Sequence, residues 1–127
     1  MSSNAVTRSI MEKMLAVAVF QKIPAENLET FQQIAQEMLS SIRKLDSIIR
    51  YDIFFSDDRT RCTIIEEYVN PAGVFEHVQR HTSYLDKLTK LGGVLEGQMF
   101  PYSNDGSELK QIRENWDSEV HTFFDGK

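Results

Sequence analysis

His77 and His81 stand one helical turn apart, and the run before them, Cys62-Thr63-Ile64-Ile65-Glu66-Glu67-Tyr68, is β-branched and ends in a carboxylate and a phenol. These side chains suit proton transfer. An imidazole titrates near neutrality, which makes His77 the candidate base. Glu66, Tyr68 and Tyr51 are candidates to orient it or to hold a substrate hydroxyl. An apolar pocket around them would raise the basicity of a partly buried carboxylate and shield reactive intermediates. Each residue also has a purely structural alternative. His77 would be a hydrogen-bonded histidine at the core margin beside Val74, Phe75 and Val78, Glu66 would pair with Arg50, and the tyrosines would be core aromatics with one wet hydroxyl. As an i, i+4 pair His77 and His81 resemble two metal ligands, but no carboxylate is placed as the third, so no metal is expected. Cys62 reads as a small buried strand residue. No nucleophile elbow and no glycine-rich phosphate loop is present.

The elements that must position these residues follow from periodicity. Residues 14–22 form a first strand, apolar on both faces, with Leu15, Val17 and Val19 on one and Ala16, Ala18 and Phe20 on the other. Leu28, Phe31, Ala35, Met38 and Ile42 make one stripe on a helix over 25–44. A second strand over 47–55 has Ile49, Tyr51, Ile53 and Phe55 on one face, and a turn at 56–59 leads to an antiparallel third strand over 61–69. Asn70-Pro71 signals a helix start, with Asn70 as the cap. That helix is expected in two pieces, 71–81 and 83–91, stopped by Gly92-Gly93. A fourth strand covers 94–102, with Gly97 as a bulge or a point of close approach.

The order is β-α-β-β-α-β, an α+β, ferredoxin-like arrangement with helices on one sheet face. The other face is apolar too, and a second copy of the chain is its simplest cover, giving a homodimer. Residues 1–13 are expected as a flexible arm and 14–102 as the domain. Residues 103–127 form an extension that docks on the domain or its partner, with a short helix starting near Ser107, Leu109, Ile112 and Trp116 on its buried side, and Phe123 and Phe124 in the tail.

A chain of 127 residues fits one core. Its net charge of -5 and the absence of any long basic cluster argue against nucleic acid as a partner. The apolar run at 14–20 is far shorter than a membrane span, and a single cysteine rules out an intramolecular disulfide, so a reducing, cytoplasmic setting is expected.

The residues resemble the antibiotic-biosynthesis-monooxygenase-type domains over about 14–102. The strand and turn Ala18-Val19-Phe20-Gln21-Lys22-Ile23-Pro24 with Phe31 match one motif of that family, and Arg43 with Tyr51 matches a second. Glu66-Glu67-Tyr68 followed by Phe75-Glu76-His77 matches a third, the most specific. The second histidine, at His81, sits one position earlier than in many members. The resemblance implies a dimeric α/β barrel that oxygenates a small aromatic, phenolic or quinol-like molecule without a bound cofactor. His77 would then be the base, Tyr51, Glu66 and Tyr68 would stand around the reacting group, and Phe75, His81 and Tyr84 would contact substrate. A non-catalytic binding dimer and a haem-binding or haem-degrading enzyme are the alternatives.

Overall fold

The computed structural model describes residues 12–103, 106–115 and 118–127. Its elements are β1 (Met14–Phe20), a 3-10 turn (Ala25–Asn27), α1 (Leu28–Ile42), β2 (Ile48–Phe55), β3 (Cys62–Tyr68), α2 (Ala72–Gly92), β4 (Leu95–Pro101), α3 (Ser107–Asn115) and β5 (Glu119–Val120). One sheet holds all the strands in the order β2-β3-β1-β4-β5. β1 to β4 pair antiparallel, which is the ferredoxin-like arrangement, and β5 adds a parallel edge on β4. Helix α1 buries Phe31, Ala35, Met38 and Ile42 of the expected stripe, and Leu28, its first member, is partly buried against them. Phe31 stands edge-on between Phe20 and Phe55, with ring centroids 5.0 and 6.1 Å away, a geometry that aligns ring edges with ring faces.

Strand parity decides what lies under the helices. Met14, Ala16, Ala18 and Phe20 are buried, whereas Leu15, Val17 and Val19 on the opposite face remain half-exposed. In β2 the register shifts between Ile48 and Arg50. Such an irregularity puts an extra residue in one strand and reverses its alternation. Ile48 therefore joins Tyr51, Ile53 and Phe55 on the core side, and Ile49, expected there, is half-exposed.

Two further expectations are corrected. Pro71, not Asn70, is the residue that precedes α2, and the first turn is tied by backbone bonds from Gly73 N–H to Asn70 O and from Val74 N–H to Pro71 O, both 3.1 Å. Arg50 reaches Glu67, at 3.8 Å, and not Glu66, because it lies on the solvent face with Glu67 as its register partner. The expected break in α2 falls at His81, whose φ and ψ are -118° and 19°. Its side chain takes the carbonyl of His77 at 2.9 Å, and the Thr82 hydroxyl takes that of Val78 at 2.6 Å. Side chains that compete for the i-4 carbonyl bend helices. Gly93, at φ +88°, ends α2.

α3 buries Leu109 and Ile112 against Met14, Ala16, Tyr68 and Met99, on the helix side of the sheet. β5 was not foreseen: two residues carry no readable period. The arm up to residue 11 and Trp116 lie outside the described residues. Among the described residues no helix is long and apolar enough to cross a membrane.

Candidate active site

Reading the helix side of the sheet row by row accounts for a cavity. Across the outer rows stand large residues: Met14 beside Tyr68, and Phe20 beside Cys62 and Leu95. Between them Ala16 is aligned with Glu66 and Met99, and Ala18 with Ile64 and Gly97. These small floor residues leave a cavity of about 650 Å³ beneath α2, walled by Val74, His77, Val78 and Leu85. Ser118 and Glu119, at the start of β5, form part of its side. Gly97 is the point of close approach there, since a Cβ on it would lie 2.7 Å from Ser118 Oγ.

Tyr51, Glu66, Tyr68 and His77 converge at one end of this space. Tyr51 and Glu66 are register partners on neighbouring strands, so their side chains rise side by side. The Tyr68 hydroxyl donates a hydrogen bond to Glu66 Oε1. Burial pushes the Glu66 carboxyl up to about 7, and the bond from Tyr68 offsets only part of that. The residue is 6 % exposed. Burial, and then the charge of Glu66, hold both phenols well above the ordinary tyrosine range.

Behind these groups runs a chain of hydrogen bonds. Ser41 Oγ lies 2.9 Å from His81 Nε2, His81 Nδ1 lies 2.9 Å from both the carbonyl oxygen and Nδ1 of His77, and His77 Nε2 lies 3.3 Å from the Tyr51 hydroxyl. A carbonyl can only accept, so His81 carries its proton on Nδ1. His77 Nδ1 then faces a donor and must be the acceptor, which puts the His77 proton on Nε2, donated to Tyr51. Burial and the neighbouring His81 bring His77 down to about 4, and burial lowers His81 as well. His77 is thus a neutral imidazole at neutral pH.

Phe75, His81 and Tyr84 lie outside the cavity lining. Phe75 packs against the cluster around Tyr68 and Val74, Tyr84 packs against the cluster around Phe31, and its ring stands 6.2 Å from His81. His81 is fully buried behind His77. Ser41 and the Ala16, Ala18 and Gly97 floor were missed by sequence reading. The floor had a signal, small residues alternating within an otherwise bulky strand, while Ser41 had none. Both ring nitrogens of His77 are engaged, as are those of His81, and a haem iron needs a free one. Among the described residues no three His, Cys, Asp or Glu side chains converge as a metal-binding group. What the arrangement offers is acid–base chemistry: a carboxylate near its titration point beside a phenol whose oxygen is already held.

No family model matches the chain, and no curated protein matches it in sequence. Solved structures do match in shape. MupZ from Pseudomonas fluorescens superposes with a TM-score of 0.78 at 16% identity, covering 91% of this chain and 93% of that one. A provisional antibiotic biosynthesis monooxygenase from Nitrosomonas europaea gives 0.62 at 18% identity, over 71% of this chain and 89% of that one. SnoaB from Streptomyces nogalater, a cofactor-independent oxygenase, gives 0.62 at 9% identity, over 76% and 97%. The fold of this chain is therefore that of the antibiotic-biosynthesis-monooxygenase-type domains.

Proposed function

We propose that the cavity is the active site of a monooxygenase that ionises a small phenolic or quinol-like molecule and lets the resulting anion react with dioxygen, without a tightly bound cofactor. The observation that carries this reading is Glu66, buried in an apolar cavity with a proton affinity near neutrality and within reach of the same space as Tyr51. Glu66 is the proton acceptor in place of His77, because the Nδ1 lone pair of His77 already accepts from His81. Glu66 takes the substrate proton, and a neutral carboxyl is the form its dry surroundings favour. Tyr51, with its oxygen held by His77 Nε2–H, donates its own proton towards the oxygen on which charge develops.

The overall step balances without an external reductant. A quinol and dioxygen give a hydroxyquinone and water: one oxygen atom enters the ring, the other leaves with two hydrogens from the quinol, and the substrate supplies all four electrons. The likeness in fold to SnoaB is consistent with this reading.

We also propose that the open sheet face pairs with a second copy of the chain. Leu15, Val17, Val19 and Ile65 are half-exposed there, Phe54 is 53% exposed, and the Arg50–Glu67 pair borders them. An apolar sheet centre with charges at its border is the composition of an interface.

Oxygen uptake by the metal-stripped protein against a panel of reduced quinols and polyphenols tests the activity. Uptake that falls at least about a hundredfold in Glu66→Gln is expected. No uptake by the wild type across the panel removes the assignment.

A further inference from the structure

Where Tyr51 and Glu66 line the cavity, it presents a ligand with one donor and one acceptor. Tyr51 accepts from His77 Nε2–H at 3.3 Å, which leaves its own hydroxyl proton to turn into the cavity. Glu66 uses Oε1 for the Tyr68 hydroxyl, which leaves Oε2 as an acceptor. Because Tyr51 and Glu66 are register partners, both reach towards one point. A ligand hydroxyl at that point accepts from Tyr51 and donates to Glu66 with a single oxygen atom. A carboxylate or phosphate only accepts, so beside ionised Glu66 it meets carboxylate oxygens without a proton between them.

Charge around the cavity acts in the same direction. Among the described residues lining it there is no Lys or Arg; Glu66 rises into it, while Glu96 is the register partner of Val19 on the opposite face and Glu119 is paired with His121 at 2.8 Å. An anion brought into such a space loses its water and finds no cation. Size narrows the class further. About 650 Å³ lies well within the range that holds drug-sized ligands, and a single ring leaves most of it empty.

We propose that the cavity selects an uncharged molecule of two or more rings that carries a hydroxyl group, and that it rejects the carboxylate and phosphate analogues of the same ring system. The location rests on the functional reading above, but the selectivity is a property of binding and is separable from turnover.

The test is calorimetric titration of the full chain at pH 8 with 2-naphthol, 2-naphthoate and 2-naphthyl phosphate. 2-Naphthol is expected to bind at least about tenfold more tightly than either anion, the order expected for an unpaired buried charge. In Glu66→Gln the gap should close from both sides, since a carboxamide N–H can donate to the carboxylate; a loss of fold alone would lower all affinities together. Repeating the titrations at pH 6 provides a second measurement: a proton on Glu66 can then bridge to naphthoate, so the gap between naphthol and naphthoate should narrow. Naphthoate binding as tightly as naphthol, or no binding of naphthol, overturns the inference. Selective naphthol binding by a protein that consumes no oxygen upholds it and overturns the catalytic reading alone.

Discussion

The Nδ1 atom of His81 stands 2.9 Å from the carbonyl oxygen of His77 and 2.9 Å from its Nδ1. One N–H therefore serves two acceptors on the same residue, and it does so only because α2 is broken at His81. The kink and the protonation of the site have a common origin. His81 lies outside the lining of this cavity, yet it decides which nitrogen of His77 carries the proton and so which way the Tyr51 hydroxyl turns.

His81→Phe should release His77 from the Nε2–H tautomer and reduce naphthol affinity and any turnover by about tenfold, the worth of one hydrogen bond. His81→Asn, whose amide N–H sits where Nδ1–H does, should retain both. Long-range nitrogen–proton spectra of the imidazoles read the tautomer directly. An unchanged His77 tautomer in His81→Phe refutes the relay.

Tyr51→Phe keeps the ring and leaves His77 Nε2–H buried without its acceptor. Urea denaturation should show a loss of about 1–3 kcal/mol.

Stability should depend on pH through opposed groups. Glu66 has a folded value of about 7 against 4.5 for the free group. Its contribution is fully present below about 4.5, and it is lost as pH rises to about 7, at roughly 1.4 kcal/mol per unit. His77 is lowered from 6.5 to about 4, so its contribution is present above 6.5 and is lost as pH falls towards 4. His81 acts in the direction of His77. Between pH 5 and 6 the stability advantage of the wild type over Glu66→Gln should shrink by about 1.4 kcal/mol. Melts of the two proteins at both pH values check this, and a constant difference contradicts the assignment.

Ala18→Leu adds volume where the floor is empty, so the fold should hold with a change of less than about 1.5 kcal/mol. Naphthol binding should nevertheless disappear. Thermal melts and titrations of the same sample separate the two effects.

At Gly97 any side chain meets Ser118. Gly97→Val should push β5 off the edge of β4, read as faster amide exchange at His121, whose N–H donates to Met99 O at 2.9 Å.

Most of the architecture was legible because each main element carries its own period: Phe31, Ala35, Met38 and Ile42 announce α1, and the alternation of β1 announces a strand. Tyr51, Glu66, Tyr68 and His77 were legible as a group through their spacing around the Asn70-Pro71 turn. Three features were not. The irregularity that turns Ile48 inward changes which neighbour a residue faces without changing composition. The direction of the protons depends on the His77 carbonyl that His81 Nδ1 meets, a backbone contact with no marker in sequence. The pairing of Glu66 with Tyr68, in place of Arg50, follows from which face each residue takes, and Arg50 lies after the irregularity.

β1 interleaves two sets of residues: Ala16 and Ala18 under the helices, and Leu15, Val17 and Val19 towards the open face. Point substitutions can therefore retune the chamber or the opposite surface independently. A gained or lost residue in this strand cannot, because it exchanges the two sets at once, placing bulky side chains in the chamber and alanines outside. Among natural variants of this chain, β1 should tolerate many changes of letter and almost none of length.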